Sequence, residues 1–344
     1  MIFRRSSRLQ AAVICAAALI GLATLPACNS ATNATAGDNA GAQGAKITFG
    51  FSAWPGWFPW QIAQEQGLFA KNKLNVELKY FDSYTDSLNA LATGAIDANS
   101  QTLNDTLASV SGGAKQTIVL VNDNSTGNDK IIAREGVTSV ADLKGKKVAV
   151  EQGTVDHYLL LLALEQANLN EQDIELVPLV TDAAAAAFVA GKVDAVGVFA
   201  PFTTTALERP GSRAIATSAE FPGAIPDHLV VTDSMVKDRP QDVQALVNTW
   251  FDTLKWIKEN KDAAVAIMAK RGGVTPEEYL TYDAGTTIFT LRQNLDAFTP
   301  GTTPSHLNYQ ANLIIDFIVA AGLAKERPSM DGLLDDRFVK TVPQ

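Results

Sequence analysis

Ser52-Ala53-Trp54-Pro55-Gly56-Trp57-Phe58-Pro59-Trp60 is the stretch around which this chain is organised. It joins an alternating apolar run, formed by Ile47, Phe49 and Phe51, to an amphipathic segment over residues 61–70. Two prolines and a glycine prevent either a strand or a helix from running through it. We therefore predict a strand–loop–helix junction. It places large flat side chains at the carboxyl end of a strand, where open α/β sheets hold their ligands.

Three of the chain's five tryptophans lie in this stretch, and their side chains admit two interpretations. Large aromatic side chains are commonly buried in a core. A tight loop rich in proline and glycine, however, normally runs over the surface or lines a cleft. We predict that the loop faces a ligand, with core packing as the alternative for any single tryptophan.

The amino-terminal residues have the pattern of a bacterial lipoprotein signal. Arg4, Arg5 and Arg8 form a basic region, residues 9–22 are apolar, and Leu25-Pro26-Ala27-Cys28 matches a lipobox. We predict a signal peptide over residues 1–28, with Cys28 lipidated. Residues 29–45 are small and polar, which predicts a flexible tether. An uncleaved membrane anchor is the alternative, although the apolar run is short for a membrane-spanning helix.

The composition excludes several classes of protein. The two cysteines are Cys15, inside the predicted signal, and Cys28, so no thiol would remain for catalysis, a disulfide or a metal cluster. The histidines, His157, His228 and His306, are scattered and give a metal enzyme few ligands. The formal net charge of −9 becomes more negative once the three signal arginines are removed, which disfavours nucleic-acid binding. We predict neither a metal nor a cofactor.

Downstream of the tether, strand-like and helix-like runs alternate. The predicted strands are 47–51, 76–81, 96–100, 117–121, 130–134, 147–150, 174–179 and 193–199. This alternation with short turns indicates an α/β fold with mostly parallel sheets covered by helices on both faces. About 300 residues are enough for two lobes, each with its own core. From residue 241 onward the pattern is mainly helical.

Two irregular runs divide this pattern into lobes. Residues 122–129 (Asn-Asp-Asn-Ser-Thr-Gly-Asn-Asp) are polar and turn-forming, and residues 221–228 are rich in proline and glycine. We interpret them as the outgoing and returning crossings between lobes. The predicted first lobe comprises residues 46–128 and 225–344, and the predicted second lobe comprises residues 129–224.

An internal repeat relates the two predicted lobes. Residues 91–98 (LATGAIDA) correspond to residues 188–195 (FVAGKVDA), each a helix end, a glycine and a strand that opens with Asp-Ala. The same offset aligns the tryptophan-rich loop with residues 152–157. We therefore expect two similar lobes whose strand–loop–helix junctions face each other across a cleft.

Residues 139–150 (SVADLKGKKVAV), followed by Gly153-Thr154 and His157-Tyr158-Leu159-Leu160, resemble a known family. Its members are the substrate-binding components of ABC importers of the nitrate, sulfonate, taurine and bicarbonate group, which share their fold with the thiamine-pyrimidine synthase proteins. Gly67-Leu68-Phe69 and Phe199-Ala200-Pro201-Phe202 support the resemblance, which covers residues 47–232. It implies a two-lobed, periplasmic-binding-protein-like type II α/β fold with a ligand cleft between the lobes and a helical carboxyl-terminal part.

The resemblance also implies partners and a location. It implies a monomer that captures a small-molecule solute and delivers it to an ABC permease and its ATPase. The predicted lipid on Cys28 would hold it in the periplasm or at the outer face of the cell membrane. A sensory lipoprotein would need the same hinge and pocket, so the sequence leaves that alternative open.

The loops that form the pockets of this family can be carried onto the chain residue by residue. The resemblance implies a ligand-binding set of Trp54, Trp57, Gln101, Thr102, Asp105, Asp123, Asp129, Thr154, Asp156, His157, Phe202 and Asp227, with His228 as a further candidate. The Gly153-Thr154 loop opens a helix, so its backbone N–H groups can hold a ligand oxygen.

The predicted pocket loops are acidic, and the nearest cations, Lys130 and Arg134, lie on a strand. A site for an anion benefits from arginine, lysine or helix amino termini that face the ligand. Carboxylates beside tryptophan rings suit a small cation instead. We therefore predict a small nitrogen-containing cation, guanidinium or a similar amine, which some importers resembling this chain carry. An anion such as taurine, an alkanesulfonate, nitrate or bicarbonate is the alternative, as is a solvated turn role for each aspartate singly.

Catalysis is an alternative of another class, because the thiamine-pyrimidine synthases perform chemistry on the same fold. His157 and His228 would then be the candidate catalytic residues. Those enzymes use a cysteine-rich motif, whereas this chain has no cysteine beyond its lipobox. We predict a binding protein and not an enzyme.

Overall fold

The computed structural model describes residues 44–343 of the chain. In that part the strands are β1 (Ile47–Phe51), β2 (Val76–Tyr80), β3 (Ala98–Thr102), β4 (Gln116–Ser125), β5 (Asp129–Ala133), β6 (Lys147–Val150), β7 (Glu175–Pro178), β8 (Ala195–Phe199), β9 (Arg213–Thr217), β10 (Pro226–Thr232) and β11 (Thr286–Ile288). The helices are α1 (Pro59–Glu65), α2 (Leu68–Lys71), α3 (Tyr84–Ala92), α4 (Leu103–Ser111), α5 (Val155–Gln166), α6 (Thr181–Val189), α7 (Phe202–Leu207), α8 (Asp233–Asp238), α9 (Pro240–Glu259), α10 (Lys261–Gly272), α11 (Pro276–Leu280), α12 (Leu291–Ala297), α13 (Leu307–Ala320) and α14 (Arg337–Lys340).

The predicted signal over residues 1–28, its lipidated Cys28 and residues 29–43 of the predicted tether lie outside the described residues. They stay predictions. Within residues 44–343, every helix is either too short or too polar to cross a lipid bilayer.

The strands form two sheets of closely related topology. The first sheet has the order β11-β4-β10-β3-β1-β2, and the second has the order β7-β6-β8-β5-β9. If β11 is set aside, β2-β1-β3-β10-β4 and β7-β6-β8-β5-β9 are the same arrangement with the same parallel and antiparallel pairs. The internal repeat that the sequence predicts is therefore present in the strand order.

The prediction of mostly parallel sheets is wrong for half of each sheet. β1 pairs in parallel with β2 and β3, but β10 pairs antiparallel with both β3 and β4. In the second sheet, β5 takes the place of β10 and is antiparallel to β8 and β9. The physical reason is the double crossing: β5 and β10 each enter a sheet directly from the other one, without a crossover helix to reverse the chain direction.

The outgoing crossing is shorter than the sequence predicts. Residues 122–125 continue β4 and are buried, so that only residues 126–128 separate β4 from β5. Polar side chains can occupy this strand because it is central, paired with β10 on one side and with β11 on the other, which satisfies its backbone.

The two crossings are joined to each other. Ser125 and Ser218 share a hydrogen bond of 2.7 Å between their hydroxyls, and the Gly127 N–H donates to Ser218 Oγ at 2.8 Å. These bonds tie the outgoing crossing to the turn that precedes the returning one. The lobe boundaries themselves, 46–128 with 225–344 and 129–224, stay a prediction.

An aromatic core anchors the first sheet. The Trp60 ring lies 4.8 Å from the Trp250 ring on α9 and 4.7 Å from the Phe49 ring on β1, measured between centroids. All three side chains are fully buried. Each ring removes roughly 150–250 Å² from water, so this cluster is a large contribution to the stability of the lobe. It fixes the start of α1 and therefore the tryptophan-rich loop that precedes it.

Candidate functional site

A narrow cavity of about 10 Å³ lies between the two sheets. Its wall consists of Ala53, Trp54, Trp57, Tyr84, Thr102, Asp129, Val155, Phe199, Ile225 and Asp227. These residues follow β1, β2 and β6, end β3 and β8, or lie at the starts of β5 and β10. Ligands in open α/β sheets bind outside the carboxyl ends of parallel strands, and the wall follows that rule. This volume is far below the roughly 300–1,000 Å³ of sites for drug-sized ligands, so in this closed arrangement the cavity suits only a very small solute.

Aromatic rings form one part of the wall. Trp57 packs against Tyr84 with 5.4 Å between ring centroids, and the edge of Phe199 meets Trp54 at 6.4 Å and Tyr84 at 6.3 Å. Trp54 and Trp57 thus face the cavity, as the loop composition predicts. Trp60, by contrast, packs in the core, which is the alternative role for a tryptophan of this stretch. Its Nε1 donates to Ser100 Oγ at 2.9 Å.

The tryptophan-rich loop is held against β4 by a buried hydrogen bond. Trp54 Nε1 donates to Asp123 Oδ1 at 2.9 Å. The backbone passes so close to this carboxyl group that a Cβ atom at Gly56 would lie 2.0 Å from Asp123 Oδ2. Only glycine fits between the two prolines of the loop, which explains the Pro-Gly-Trp sequence at this point.

Five buried aspartates surround the cavity, and each is at most 2% exposed. They are Asp105, Asp123, Asp129, Asp156 and Asp227. In four of them one oxygen has no hydrogen-bond partner among residues 44–343: Asp123 Oδ2, Asp129 Oδ2, Asp156 Oδ1 and Asp227 Oδ2. Buried polar atoms normally find a partner, so such a concentration marks a place where a ligand's donors belong. Asp129 and Asp227 line the cavity directly.

Burial favours the neutral form of these carboxyl groups. It raises the pKa of Asp105 to about 7, of Asp123 to about 8 and of Asp129 to about 6. The pKa values of Asp156 and Asp227 are raised well above the ordinary range, first by burial and then by the carboxylates of Asp129 and Asp123 respectively. Clustered acids cannot all ionise without a positive charge among them.

Lys130 lowers the pKa of its neighbour Asp129 electrostatically, but it does not line the cavity. The wall of the cavity has no arginine or lysine, and in the described part of the chain no cluster of three or more histidine, cysteine and acidic side chains could hold a metal ion. The Lys130 ammonium donates to the Gly127 carbonyl oxygen, and burial lowers the pKa of Lys130. Arg134 is paired with Asp194 at 2.6 Å. The two nearest cations of the sequence prediction are therefore engaged elsewhere.

Direct hydrogen bonds between the lobes close the cleft over this cavity. Thr85 on α3 donates from its backbone N–H (2.9 Å) and its hydroxyl (2.6 Å) to Glu151 Oε1, at the end of β6. The Val155 N–H at the start of α5 donates to Asp105 Oδ2 on α4 at 3.2 Å. Because donors and acceptors come from opposite lobes, these bonds exist only in the closed arrangement.

We expect Thr85→Val to shift the protein toward an open form, because it removes the hydroxyl bond to Glu151 and preserves side-chain shape. A hydrogen bond to a charged group contributes about 1.5–3 kcal/mol, so ligand affinity should fall about tenfold or more. Small-angle X-ray scattering of the ligand-free variant should give a larger radius of gyration. Thr93→Val is the matched control, because the Thr93 hydroxyl donates within its own helix end to Asn89 O. If the scattering of Thr85→Val is unchanged, the bond between Thr85 and Glu151 does not hold the cleft closed.

Four predicted site residues lie beside the cavity without lining it. Asp105 and Asp156 stand behind its wall, and Thr154 precedes α5 with its hydroxyl donating to Glu151 O at 2.8 Å. Asp123 is similarly placed behind Trp54. The wall itself contains Trp54, Trp57, Thr102, Asp129 and Asp227 from the predicted set.

Gln101 and His228 are paired across β3 and β10 and face the interior of the first lobe. The Gln101 amide donates to Thr106 Oγ1 at 2.9 Å. Burial lowers the pKa of His228 to about 3, and neither ring nitrogen has a partner among the described residues. The alternation of side chains along a strand explains this placement: Thr102 and Asp227, one residue further, point to the cavity.

His157 and Phe202 are directed away from the cavity wall. The Gly153 N–H donates to His157 Nδ1 at 3.3 Å, so the neutral ring carries its hydrogen on Nε2 and donates to Glu171 Oε2 at 3.0 Å. Burial lowers the pKa of His157, against the opposing effect of Glu171. Phe202 packs on Phe199 at 5.7 Å and supports it from behind.

Several residues of the site are absent from the sequence prediction. Tyr84 and Phe199 line the cavity, and Glu151 and Thr181 form the hydrogen-bond network behind it. Tyr84 directly follows the loop after β2, so the rule that placed Trp54 after β1 would also have selected it. Thr181 opens α6 after the loop that follows β7, so the same rule would also have selected it.

Comparison with known proteins places this site in a family. The model of the NMT1-like family matches residues 40–271. A protein of Brucella abortus (strain 2308), named as a binding protein with no ligand stated, is 30% identical over 213 residues, which is 61% of this chain and 66% of that protein. The match thus spans slightly less than two thirds of this relative. The taurine-binding periplasmic protein of Escherichia coli (strain K12) is 25% identical over 254 residues, covering 70% of this chain and 78% of that protein.

Solved structures share the fold. The alkanesulfonate-binding protein SsuA from Xanthomonas axonopodis pv. citri, bound to MOPS, has a TM-score of 0.73 at 20% identity and covers 86% of this chain and 99% of that chain. The desulfurization enzyme DSZB has a TM-score of 0.62 at 18% identity and covers 86% and 98% respectively. The predicted two-lobed α/β fold is therefore confirmed, while the fold alone does not separate binding from catalysis. Since the matching family model covers more than half of its residues, this chain belongs to the NMT1-like family.

Proposed function

We propose that this chain is the solute-binding component of an ABC importer and that its solute is a small nitrogen-containing cation, guanidinium or a similar amine. The general role is supported by family membership and by relatives that are named as binding proteins. A closed cavity between two lobes suits such a role, because a solute that contacts both lobes stabilises the closed state.

The acid cluster is the observation that carries the choice of a cation. Asp129 and Asp227 offer unpartnered oxygens from opposite sheets, and Asp123 and Asp156 have a free oxygen each just behind the wall. This set of acceptors lacks hydrogen-bond donors and a positive charge. A guanidinium group supplies both, with its N–H donors in one plane. A bound cation would offset the cost of burying these acids.

The aromatic wall supports the same choice. Trp54, Trp57, Tyr84 and Phe199 present ring faces and edges to the cavity. A cation over such rings gains about 0.5–2 kcal/mol, and the gain is larger in a site without water. The polar contacts and the rings together would orient a small planar cation.

An anion such as taurine, an alkanesulfonate, nitrate or bicarbonate is the second candidate. It is favoured by the names of relatives, one of which is a taurine-binding periplasmic protein. One feature of the site also permits it, since burial raises the pKa of Asp105 to about 7 and of Asp123 to about 8. Protonated carboxyl groups can donate hydrogen bonds to an anion. The wall lacks the arginine or lysine that would make this favourable.

A thiamine-pyrimidine-synthase-like enzyme is the alternative that we consider less consistent with the geometry. Both histidines that a catalytic role would use point away from the cavity: His157 is bonded to Glu171, and His228 faces the interior of the first lobe. The two cysteines of the chain lie in the predicted signal and lipobox. We therefore propose binding without chemistry.

We further propose that the protein acts as a monomer outside the cytoplasm, anchored through a lipid on Cys28, with an ABC permease and ATPase as partners. Deletion of the partner genes should abolish uptake of the labelled solute and leave its binding to the purified protein intact. If the neighbouring genes encode a histidine kinase in place of a permease and an ATPase, a sensory role replaces import.

A ligand screen by thermal shift, followed by calorimetry, tests the choice of solute. The purified protein should be stabilised by guanidinium at low, non-denaturing concentration or by a small amine, since a ligand of the native state raises Tm by mass action. Taurine, nitrate, bicarbonate, aliphatic sulfonates and pyrimidines should have no effect. Micromolar binding of taurine or nitrate, with none of guanidinium or amines, would overturn the cation and leave the importer role standing.

A further inference from the structure

The hydroxyl of Thr181, the first residue of α6, lies between two carboxyl groups. Thr181 Oγ1 is 2.8 Å from Glu151 Oε2 and 2.8 Å from Asp156 Oδ2. A hydroxyl has a single hydrogen to donate, whereas an ionised carboxylate can only accept. Both contacts can be hydrogen bonds only if one carboxyl group carries a proton and donates it to the threonine oxygen.

The hydrogen-bond partners identify which group carries that proton. Glu151 accepts from the Thr85 N–H and hydroxyl on one oxygen and from the Thr181 N–H at 3.2 Å on the other, so its ionised form is well solvated by donors. Asp156 has no bond other than the one to Thr181, and its Oδ1 has no partner within the described residues. Donors stabilise a carboxylate, and their absence in a buried place favours the acid.

The charged groups around Asp156 act in the same direction. It faces Asp129 from β5, Asp105 from α4 and Glu151 from the loop before its own helix. On α6 the nearest acid, Asp182, is exposed to solvent. Lys130, beside Asp129, directs its ammonium to a backbone carbonyl. Burial and these carboxylates raise the pKa of Asp156 well above its ordinary range.

We propose that Asp156 holds a proton in the closed, ligand-free protein, donating it to Thr181, and that entry of the cation into the cavity releases it. The second half rests on the proposed cation function. Asp156 follows Val155, which lines the cavity, and stands next to Asp129, which would contact the cation. A positive charge at that place favours the ionised acid, so by linkage capture releases protons and acidification ejects the solute.

Infrared spectroscopy of the ligand-free protein tests the first half without a ligand. The carbonyl stretch of a protonated carboxylic acid is separate from that of a carboxylate. Near neutral pH the protein should show such a band, and Asp156→Asn should remove the intensity of one acid group. The asparagine amide can donate to Thr181 as the protonated acid does, so the variant should fold. Asp182→Asn on the exposed face of α6 is the control and should leave the band unchanged.

Calorimetry with guanidinium chloride tests the second half. Titrations in two buffers of equal pH and different ionisation enthalpy give the number of protons released. The protein should release protons when guanidinium binds, and Asp156→Asn should release about one proton fewer. Over the pH range in which this proton is released, the affinity should fall about tenfold for each unit by which the pH is lowered.

The possible outcomes separate this inference from the proposed function. If the carbonyl band of Asp156→Asn is as intense as that of the original protein, Asp156 does not hold a proton in the ligand-free state. Guanidinium binding without proton release overturns the coupling and leaves the cation function intact. Binding of taurine or nitrate alone, with uptake of protons in place of release, overturns the cation function and the coupling together.

Discussion

Replacement of Asp227 by asparagine should weaken binding of guanidinium or an amine by about 10- to 150-fold. Asp227 lines the cavity from β10, is 1% exposed, and has an unpartnered Oδ2. The substitution preserves size but removes the charge and turns one acceptor into a donor that faces the donors of the cation. A charge-assisted hydrogen bond contributes about 1.5–3 kcal/mol, which corresponds to this loss of affinity. Isothermal calorimetry with guanidinium chloride measures it.

The controls for this prediction separate the site from general damage. Asp129→Asn, on the opposite sheet, should weaken binding of the cation by a similar factor, whereas Asp182→Asn on the surface should leave binding unchanged. Melting temperatures without ligand should not fall in either cavity variant. If Asp227→Asn binds the solute with unchanged affinity, or binds a sulfonate more tightly, the cation assignment is wrong.

The second large effect concerns stability and pH. The ligand-free protein should lose stability as pH rises from about 4 to about 8. An unfolded aspartate ionises near its ordinary pKa, whereas burial raises the folded pKa of Asp129, Asp105 and Asp123 to about 6, 7 and 8. The folded state therefore binds more protons in this window, and ΔG of unfolding falls with pH. Burial raises the pKa of Asp105 by about three pH units, so Asp105 alone accounts for a loss on the order of 4 kcal/mol in the free energy of unfolding.

Thermal unfolding across this pH range tests the prediction. Asp123→Asn should flatten the pH dependence and raise Tm at pH 8, because an asparagine oxygen can still accept from Trp54 Nε1. Bound guanidinium should flatten it as well. Surface acids such as Asp142 have a lowered pKa because of hydrogen bonds from Thr138 and Ser139, so they act in the opposite sense and only below about pH 4. A Tm that is constant or rises toward pH 8 would contradict the account.

The loops that sequence reasoning selected lie at the cavity more often than the individual side chains that it named. It placed Trp54 and Trp57 at the cavity because proline and glycine end β1 at its carboxyl edge. It also named the five aspartates that the fold gathers. It could not choose between Gln101 and Thr102, which are consecutive in β3, because the direction of alternation depends on which face of the strand meets the other lobe.

The sequence by itself determined the α/β class, the two related lobes and the loops that end at the cleft. These follow from local periodicity, glycine and proline positions and the internal repeat. Only the tertiary structure decided that residues 122–125 extend a buried strand, that Glu151 joins the lobes through Thr85, and that Thr181 reaches Asp156. The reason is physical: each of these depends on partners 25 or more residues away along the chain, and only packing brings those groups within hydrogen-bond distance.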